Sequence, residues 1–302
     1  MQAAARRRTF AVVAALVLGV ALLASPRFGA VRVNSTGGAL PTFAPGAAVL
    51  LAVGDIGSCK GDADEAVAAL AARLPGTIAL LGDIVYENGS PGDYATCFDP
   101  AWGALRSRIR PAPGNHDYQT ADATGYFSYF GAAAGTPGQG WYSYQLGTWH
   151  VIVLNSNCAD VGGCGDGSPQ LAWLQADLLA HPAACTLAYW HHPRYSSGRH
   201  GTDARTDPLW RALAAANADL VLSGHDHDYE RRAPVDGIRS FVVGTGGRSL
   251  YELARPAAAQ TELRANRSYG LLALELGDGG YAWRFVTAAG ASLTDAGAGT
   301  CH

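Results

Sequence analysis

The sequence predicts an α/β fold in which two packed β-sheets are flanked by helices. Short, continuously apolar runs alternate with helical patterns over most of the chain, and the last part replaces the helices by glycine turns. At 302 residues, 48% of them hydrophobic, the chain is long enough to enclose one large core. Because we find neither an internal repeat nor a second linker after residue 46, we expect one domain over residues 47–302.

The first predicted elements have clear signals. Residues 47–53 and 77–81 are continuous apolar runs, which are typical of strands buried on both faces. Between them, apolar side chains from Val67 to Leu74 recur at the i, i+3, i+4, i+7 spacing of a helix face, which predicts a helix over residues 62–74.

The second half continues the alternation. Residues 149–154, 186–190 and 219–222 are further apolar runs, and residues 207–216 have a helical pattern. Ser168 followed by proline has the form of an N-cap with proline at N1, which opens a helix. Three more strands are predicted without helices between them: residues 239–243, 269–276 and 281–287.

Residues 1–30 have the pattern of an export signal. Three arginines at positions 6–8 precede fifteen uncharged, mostly apolar residues at 10–24. The arginines fit the charged start of a general secretory signal and also a twin-arginine signal. Because no good small-x-small cleavage site follows, an uncleaved anchor is the alternative to a cleaved signal. Residues 31–46 have the composition of a linker, so we expect a secreted, periplasmic or cell-surface protein.

The charge balance argues against nucleic acid as the main partner. The 22 Lys and Arg residues and the 25 Asp and Glu residues give a net charge of −3, and loss of the three arginines at positions 6–8 would make it −6. Outside the N-terminus, no run of basic residues could neutralise a phosphate backbone.

Five polar segments stand where predicted strands end, and they hold five of the nine histidines. Because the carboxyl ends of strands form the binding crevice of α/β folds, we expect these segments to meet at one edge of the sheets. The segments are Gly54-Asp55-Ile56-Gly57, Gly82-Asp83-Ile84-Val85-Tyr86, Gly114-Asn115-His116-Asp117, His191-His192-Pro193 and Gly224-His225-Asp226-His227.

The residue types in these segments favour a metal site. Asp, Asn, Tyr and His supply oxygen and imidazole donors without thiolate, which suits iron, zinc or manganese. The donors outnumber the roughly three protein ligands of an open single-ion site. Their surplus indicates two ions about 3.5–4 Å apart that share a carboxylate. Each segment alone could equally be an ordinary turn or contain a core histidine. Only the five segments together specifically indicate a metal site.

In this order the five segments resemble the motifs GDxG, GDxxY, GNH(D/E), a strand-end histidine and GHxH of the calcineurin-like metallophosphoesterases, in the purple acid phosphatase branch and its short bacterial-type form. The segment Gly224–Arg231 is also similar to that branch's GHxHxYER signature. The resemblance spans about residues 48–290. It implies a four-layer α/β/β/α sandwich of two mixed sheets packed face to face, and hydrolysis of phosphate esters by a metal-bound hydroxide.

The resemblance also implies the ligands. Tyr86 distinguishes the branch, because a phenol with a pKa of about 10 loses its proton most readily to a trivalent ion. Fe(III) paired with Zn(II), Mn(II) or Fe(II) is therefore implied. Asp83 would bridge the two ions. One ion would be held by Asp55, Asp83, Tyr86 and His227, and the other by Asp83, Asn115, His191 and His225.

Further residues have implied roles beside the ions. The resemblance places His116 next to the phosphate and His200 next to the leaving group. His192 is a weaker candidate, with a supporting or surface position as its alternative. Asp117 and Asp226 either orient neighbouring rings or are exposed to solvent.

One glycine-rich stretch, residues 244–248, is interpreted as a tight turn after a strand. It lacks the lysine of a phosphate-binding loop, and no helix pattern follows it. Its arginine, Arg248, is a weak candidate for reaching the substrate.

The six cysteines favour disulfides over zinc, because the count is even, no C-x-x-C pair exists and the chain has an export pattern. Six cysteines allow fifteen pairings. Two cysteines follow the first two metal-bearing strand ends, two close a short glycine-rich loop, and the last pair would tie the tail to a core strand. The pairs are thus Cys59–Cys97, Cys158–Cys164 and Cys185–Cys301.

Three functions remain after these observations. A phosphomonoesterase acting on small phosphorylated substrates is the favoured one. A phosphodiesterase or nucleotidase on the same core is the alternative, and loops 88–99 and 119–140 would decide between the two. A secreted protein whose metals only hold the fold is the third, and the complete set of donors argues against it.

Overall fold

The computed structural model describes residues 40–253, 255–288 and 293–302. The predicted export signal and most of the predicted linker lie outside the described residues. The strands are β1 (Ala48–Val53), β2 (Gly57–Ser58), β3 (Thr77–Leu81), β4 (Val85–Tyr86), β5 (Ile109–Ala112), β6 (Tyr142–Leu146), β7 (Trp149–Val153), β8 (Thr186–Tyr189), β9 (Leu220–Ser223), β10 (Tyr229–Val235), β11 (Ile238–Val243), β12 (Thr261–Ala265), β13 (Gly270–Gly277), β14 (Gly280–Thr287) and β15 (Asp295–Thr300).

The helices lie between and outside these strands. Ser168 caps helix α5 as the sequence predicts, since its hydroxyl accepts a hydrogen bond from the backbone of Leu171 over 3.3 Å. The helices are α1 (Ala63–Ala72), α2 (Pro91–Asp93), α3 (Asp99–Trp102), α4 (Thr124–Phe130), α5 (Pro169–Ala180) and α6 (Asp207–Ala215).

Two mixed sheets and one short ribbon organise the chain. The first sheet has the order β15-β14-β13-β1-β3-β5, with β1, β3 and β5 parallel. The second has the order β12-β10-β11-β9-β8-β7-β6, with β7, β8, β9 and β11 parallel. The ribbon pairs β2 with β4. The antiparallel strands complete both sheets, so the predicted mixed sheets are confirmed.

Strand alternation builds the four layers. In β1, Leu50 and Ala52 face a core shared with Val151 and Leu187 of the second sheet. The intervening side chains of β1 point instead to a core beneath helices α1, α3 and α4. The outer face of the second sheet has its own core with α5 and α6, where Ile152 packs. The predicted helix–sheet–sheet–helix sandwich is therefore confirmed, and both faces of the central strands are buried.

Several strands lacked a clear signal in the sequence. Strand β5 is only four residues long and contains Arg110 and Pro111, so it has no apolar run. Strand β10 begins at Tyr229 inside the last polar segment and carries two arginines and a proline. Its pairing with β11 and β12 outweighs its weak intrinsic preference for a strand.

The six cysteines form three disulfides with the expected pairing: Cys59–Cys97, Cys158–Cys164 and Cys185–Cys301. Their Cα atoms lie 4.9, 5.2 and 5.4 Å apart, within the usual range for a disulfide. The first lies beside the β2–β4 ribbon, and the last joins the start of β8 to the end of β15. Within the part of the chain that the structure describes, no helix has the length and apolar character needed to cross a bilayer.

Candidate metal centre

The five polar segments meet at the carboxyl ends of the parallel strands, as expected. Asp55, Asp83 and His225 each adopt a positive φ of 61°, 48° and 71° directly after a glycine. Such backbone conformations are unfavourable for residues with a side chain and concentrate at functional sites. The chain passes closely here: a Cβ added to Gly82, which has φ +84°, would lie 2.6 Å from Cβ of His191. The glycines therefore let the strand ends approach and turn their polar side chains together.

A first group of donor atoms surrounds the phenol of Tyr86. The phenolic oxygen lies 3.0 Å from Oδ1 of Asp55 and 3.0 Å from Oδ2 of Asp83. Nε2 of His227 lies 3.2 Å from the same phenolic oxygen and 3.3 Å from Oδ1 of Asp55. A phenol has one proton to donate, so it cannot satisfy three neighbours at once. The four atoms converge on a common centre.

A second group surrounds Nε2 of His191. This nitrogen lies 3.1 Å from Oδ1 of Asn115, 3.2 Å from Nδ1 of His225 and 3.3 Å from Oδ1 of Asp83. Asp83 thus gives one carboxylate oxygen to each group. The structure brings together all seven residues that the sequence predicted as metal ligands.

The spacing within both groups fits metal ions. Ligands about 2.1 Å from an ion stand roughly 3.0–3.4 Å apart at the corners of an octahedron or tetrahedron. The donor separations of 3.0 to 3.3 Å match these edges. The donors are oxygen and imidazole nitrogen, which suit iron, zinc or manganese. Two ions sharing one carboxylate are the arrangement that this geometry can accommodate.

Outer contacts fix the orientation of the imidazoles. Nδ1 of His191 lies 2.9 Å from the carbonyl oxygen of Leu81, so it donates there and leaves Nε2 free as an acceptor. Nδ1 of His227 lies 3.1 Å from the Ser249 hydroxyl, which directs its Nε2 into the first group. The carbonyl contact selects the tautomer of His191 that metal ligation requires, and the Ser249 contact fixes the orientation of the His227 ring.

The charges of the centre are strongly coupled. Burial opposes the ionised form of Asp83, but the positive charge of His191 holds the pKa of Asp83 well below its usual value. Burial also opposes protonation of His191, yet the charge of Asp83 raises the pKa of His191 to about 9. Burial, and then the charges of Asp55 and Asp83, raise the pKa of Tyr86 well above its usual value. A cation would reverse this balance by replacing the His191 proton and stabilising a phenolate.

His116 borders the first group. Its Nδ1 donates to the Glu87 carbonyl over 2.7 Å, and its Nε2 faces the centre at 4.0 Å from Oδ2 of Asp83. Its ring centroid is 4.3 Å from that of Tyr86. The side chain is half-buried, so one face is open to a bound substrate.

His200 and His192 lie beside the second group. The ring of His200 is 4.3 Å from the ring of His225, and burial lowers the pKa of His200. The ring of His192 is 4.4 Å from that of His225. Its Nδ1 lies 2.8 Å from the Ser156 hydroxyl. This buried histidine therefore has the supporting position that was the alternative to a direct role.

Asp117 and Asp226 differ from both expectations, because each is fully buried and its hydrogen bonds go to backbone N–H groups and hydroxyls. Asp117 accepts from the backbone of Gly114 over 2.8 Å and from the Tyr94 hydroxyl over 2.7 Å. Asp226 accepts from the backbone of His200 over 2.6 Å, from the backbone of Gly201 and from the Ser196 hydroxyl. These acids hold the loops, since carboxylates readily gather N–H groups that loops leave unpaired.

Comparison with known proteins agrees with this geometry. The family model for the calcineurin-like phosphoesterases matches residues 48–229. This chain belongs to that family. Its curated relatives include purple acid phosphatase 15 of Arabidopsis thaliana, 25% identical over 251 residues, which are 68% of this chain and 46% of the relative. The phosphoesterase chain thus spans less than half the length of that relative.

Solved structures share the fold. Purple acid phosphatase PPD1 from yellow lupin superposes with a TM-score of 0.73 at 16% identity, over 84% of this chain and 54% of that one. GAP50, described as the anchor in the inner membrane complex of Plasmodium, superposes with a TM-score of 0.64 at 16% identity, over 85% of this chain and 89% of that one. Likeness at this identity shows the fold alone, so the activity of this phosphoesterase must be argued from its site.

Residues after β11 complete the centre of this phosphoesterase, and sequence reasoning singled out only Arg248 among them. The chain makes the predicted tight turn after Val243, and Arg248 then pairs with Glu87 over 2.7 Å. Tyr251 stacks on His227 with ring centroids 4.0 Å apart and planes at 10°. The structure places this turn beside Asp55, because the backbone N–H of Arg248 donates to the carbonyl oxygen of Asp55. Only this position shows that Arg248 and Tyr251 belong to the site.

Proposed function

We propose that this phosphoesterase hydrolyses phosphate monoesters with two metal ions held by the two donor groups. One observation carries the proposal: Asp83 offers one oxygen to each of two four-atom groups whose internal spacings of 3.0 to 3.3 Å match ligand polyhedra. A metal that only held the fold would need fewer donors and no open side. The half-buried His116 and the exposed His200 border such an open side.

The ions would supply Lewis-acid activation of water and of the phosphoryl oxygens. The chain's own residues bind and orient. His116 presents Nε2 to the same side as Asp83 Oδ2, and because Nδ1 donates to the Glu87 carbonyl, Nε2 can donate to a phosphoryl oxygen when the imidazole is doubly protonated. Its donation would stabilise charge that develops on that oxygen.

His200 is placed to act on the leaving group. Asp226 fixes the backbone of its loop through three hydrogen bonds, so the ring keeps its place 4.3 Å from His225. A protonated imidazole at this point can deliver its proton to a departing alcohol oxygen and is left neutral. His116 thus borders the first donor group beside Tyr86, and His200 borders the second beside His225.

We propose Fe(III) at the Tyr86 group and Zn(II), Mn(II) or Fe(II) at the other. The phenol of Tyr86 sits between the Asp55 and Asp83 carboxylates, which raise its pKa. Phenolate formation there needs a strongly charged ion, and a trivalent ion meets this need better than a divalent one.

The decisive experiment combines metal analysis with a substrate profile. Purified protein is assayed on aryl and alkyl phosphate monoesters and on the corresponding diesters, and its metals are counted by mass spectrometry. We expect two ions per chain and a clear preference for monoesters. The variant Asp83→Asn, which removes the shared carboxylate, should lose both metal and turnover. A diester preference would replace the proposed substrate class, and hydrolysis by metal-free protein would overturn the mechanism.

We further propose that residues 47–302 form this catalytic domain, that residues 31–46 are a linker, and that residues 1–30 direct export or anchor the chain. The three disulfides support export, because disulfides persist in oxidising compartments. Fractionation of cells that express the full chain tests this directly. Recovery of reduced protein in the cytoplasm alone would contradict it.

A further inference from the structure

A second cluster of metal-binding side chains lies away from the dinuclear centre. It consists of His150 at the start of β7, Asp177 in the last turn of α5 and His181, which caps that helix. Neither histidine belongs to the five polar segments. One donor atom from each of the three side chains lies within 4.8 Å of the others.

The geometry of the cluster is compact. Nε2 of His150 lies 3.0 Å from Oδ2 of Asp177, and Nδ1 of His181 lies 3.0 Å from Oδ1 of Asp177. The same Nδ1 lies 3.0 Å from the backbone carbonyl oxygen of Asp177, a contact that ligation through Nδ1 would replace. Asp177 and His181 are four residues apart at the end of one helix, which places both side chains on the same face. The hydroxyl of Ser143 donates to Oδ1 of Asp177 over 2.8 Å and fixes the carboxylate. These separations resemble the edges found between donors in the dinuclear centre.

The buried part of the cluster has no protein partner to satisfy it. His150 is 1% exposed, and neither of its ring nitrogens has a hydrogen-bond partner among the described residues. Oδ2 of Asp177 is likewise buried, and its one polar neighbour in the described structure is Nε2 of His150 at 3.0 Å. Buried polar atoms without a partner are rare and costly. The imidazole of His150 and the carboxylate of Asp177 therefore offer two buried donor atoms, 3.0 Å apart, to a metal ion.

The cluster is at the opposite end of the sheet from the dinuclear centre. His150 pairs in register with Thr186, the first residue of β8, whereas His191 follows the other end of that strand. His191 is five residue steps along extended chain from Thr186, which is roughly 16 Å. The two sites therefore do not share ligands.

We propose that His150, Asp177 and His181 bind a third metal ion, of the zinc class, that joins the end of α5 to β7. Two imidazoles and one carboxylate are an established donor set for Zn(II), with water as the fourth ligand. His181 is about half exposed, so the ion has a route from solvent and a wet fourth position. Ser143 would serve as the outer partner of the carboxylate.

The test is metal stoichiometry with a matched control. The full-length protein, with its as-isolated metals, is dialysed against Zn(II) and counted by mass spectrometry beside His181→Ala and His302→Ala. His302 is the control because it is another exposed histidine, 3.0 Å from an aspartate at the same end of the sheet. We expect three ions in the wild type and in His302→Ala, and two in His181→Ala. Titration should show Zn(II) affinity at the third site lowered more than the roughly 100-fold loss typical of outer-partner changes.

Two further measurements test the third metal site without an assay of catalytic activity. Circular dichroism should show a folded His181→Ala protein, since the side chain lies at the surface. Added Zn(II) should raise the melting temperature of the wild type more than that of His181→Ala, because an ion bound only by the native state stabilises it. Equal metal content in the wild type and His181→Ala, or equal losses in His181→Ala and His302→Ala, would overturn the proposal. It does not depend on phosphatase activity.

Discussion

The phenolic oxygen of Tyr86 lies 3.0 Å from Oδ2 of Asp83, three residues earlier in the chain. The two side chains meet because Asp83 adopts a positive φ after β3, and the chain then pairs β4 with β2, which turns Tyr86 inward. A carboxylate and a phenol that belong to one turn can therefore bind the same ion. This relationship separates the centre from one built only of carboxylates and imidazoles.

Replacing Tyr86 by phenylalanine should remove the visible absorption band expected of an Fe(III) phenolate and should weaken iron retention. The ring would keep its contact with His116, so the fold should stay intact. Tyr94→Phe is the matched control, since that buried phenol bonds Asp117 and lies outside the donor groups. Absorption spectra and iron analysis of the three proteins decide the matter. A colourless wild type with two divalent ions and full activity would contradict the iron assignment.

His116→Ala should keep both ions and lower turnover by roughly 10²–10³-fold, the usual loss for one electrostatic or proton-transfer group. The reason is its geometry: Nε2 faces the centre but stands 4.0 Å from Asp83 Oδ2, too far to be part of the first donor group. Metal content and kcat are measured on the same preparation. Unchanged turnover in a fully metallated variant would make His116 structural.

Asp226→Asn should slow turnover while leaving the metal content unchanged. The carboxylate accepts from the backbones of His200 and Gly201 and from Ser196, and an amide can accept at only one of its two positions. We expect the loop to loosen, with about a tenfold loss in kcat through misplacement of His200. Faster proteolytic cleavage near His200 would report the same loosening.

Asp228→Asn is the control for that variant. Asp228 lies two residues further along, is buried, and has no hydrogen-bond partner for its carboxylate within the described structure. Burial raises its pKa well above the usual value, so an amide of the same shape should change little. Equal losses of turnover in both variants would show that the effect belongs to the segment and not to the loop contacts.

The disulfides should differ in their contribution to stability. Cys185–Cys301 has a sequence separation of 116 and Cys158–Cys164 a separation of 6. In the chain-entropy model, replacing the long-range pair by serines should cost about 4–5 kcal/mol and replacing the short-range pair about 2 kcal/mol. Calorimetric melting of the metallated variants measures both. The reverse order would show that strain or native contacts outweigh chain entropy.

Much of the dinuclear centre could be predicted from the sequence because its residues stand at strand ends with strong apolar signals. Asp55 and Asp83 follow β1 and β3, whose residues are buried on both faces and therefore uninterrupted by polar side chains. Strands that are not followed by a polar motif were harder to predict from the sequence. Strand β12, for example, carries Glu262 and Arg264 and forms because β10 offers it an edge.

The supporting residues could not be predicted, because their roles depend on contacts distant in sequence. Ser249 and Tyr251 act on His227 only because the turn after β11 crosses the end of β1. Asp226 was expected to orient a ring or face solvent, whereas it holds a loop that begins thirty residues earlier, at Ser196. No periodicity in the sequence carries such information.

The pairing of β1 with β13 has a consequence for how the protein is made. Leu50 is aligned with Leu274, so the central strand of the first sheet receives one of its two neighbours only after the distant segment that carries Leu274 has left the ribosome. Contacts of this kind slow folding, because a long loop must close before they form. Asp55 and His227, which share one donor group, are likewise synthesised far apart in time. The first donor group is therefore complete only after His227 has been synthesised and has folded against Asp55, so an ion that needs all four donors would bind after that step.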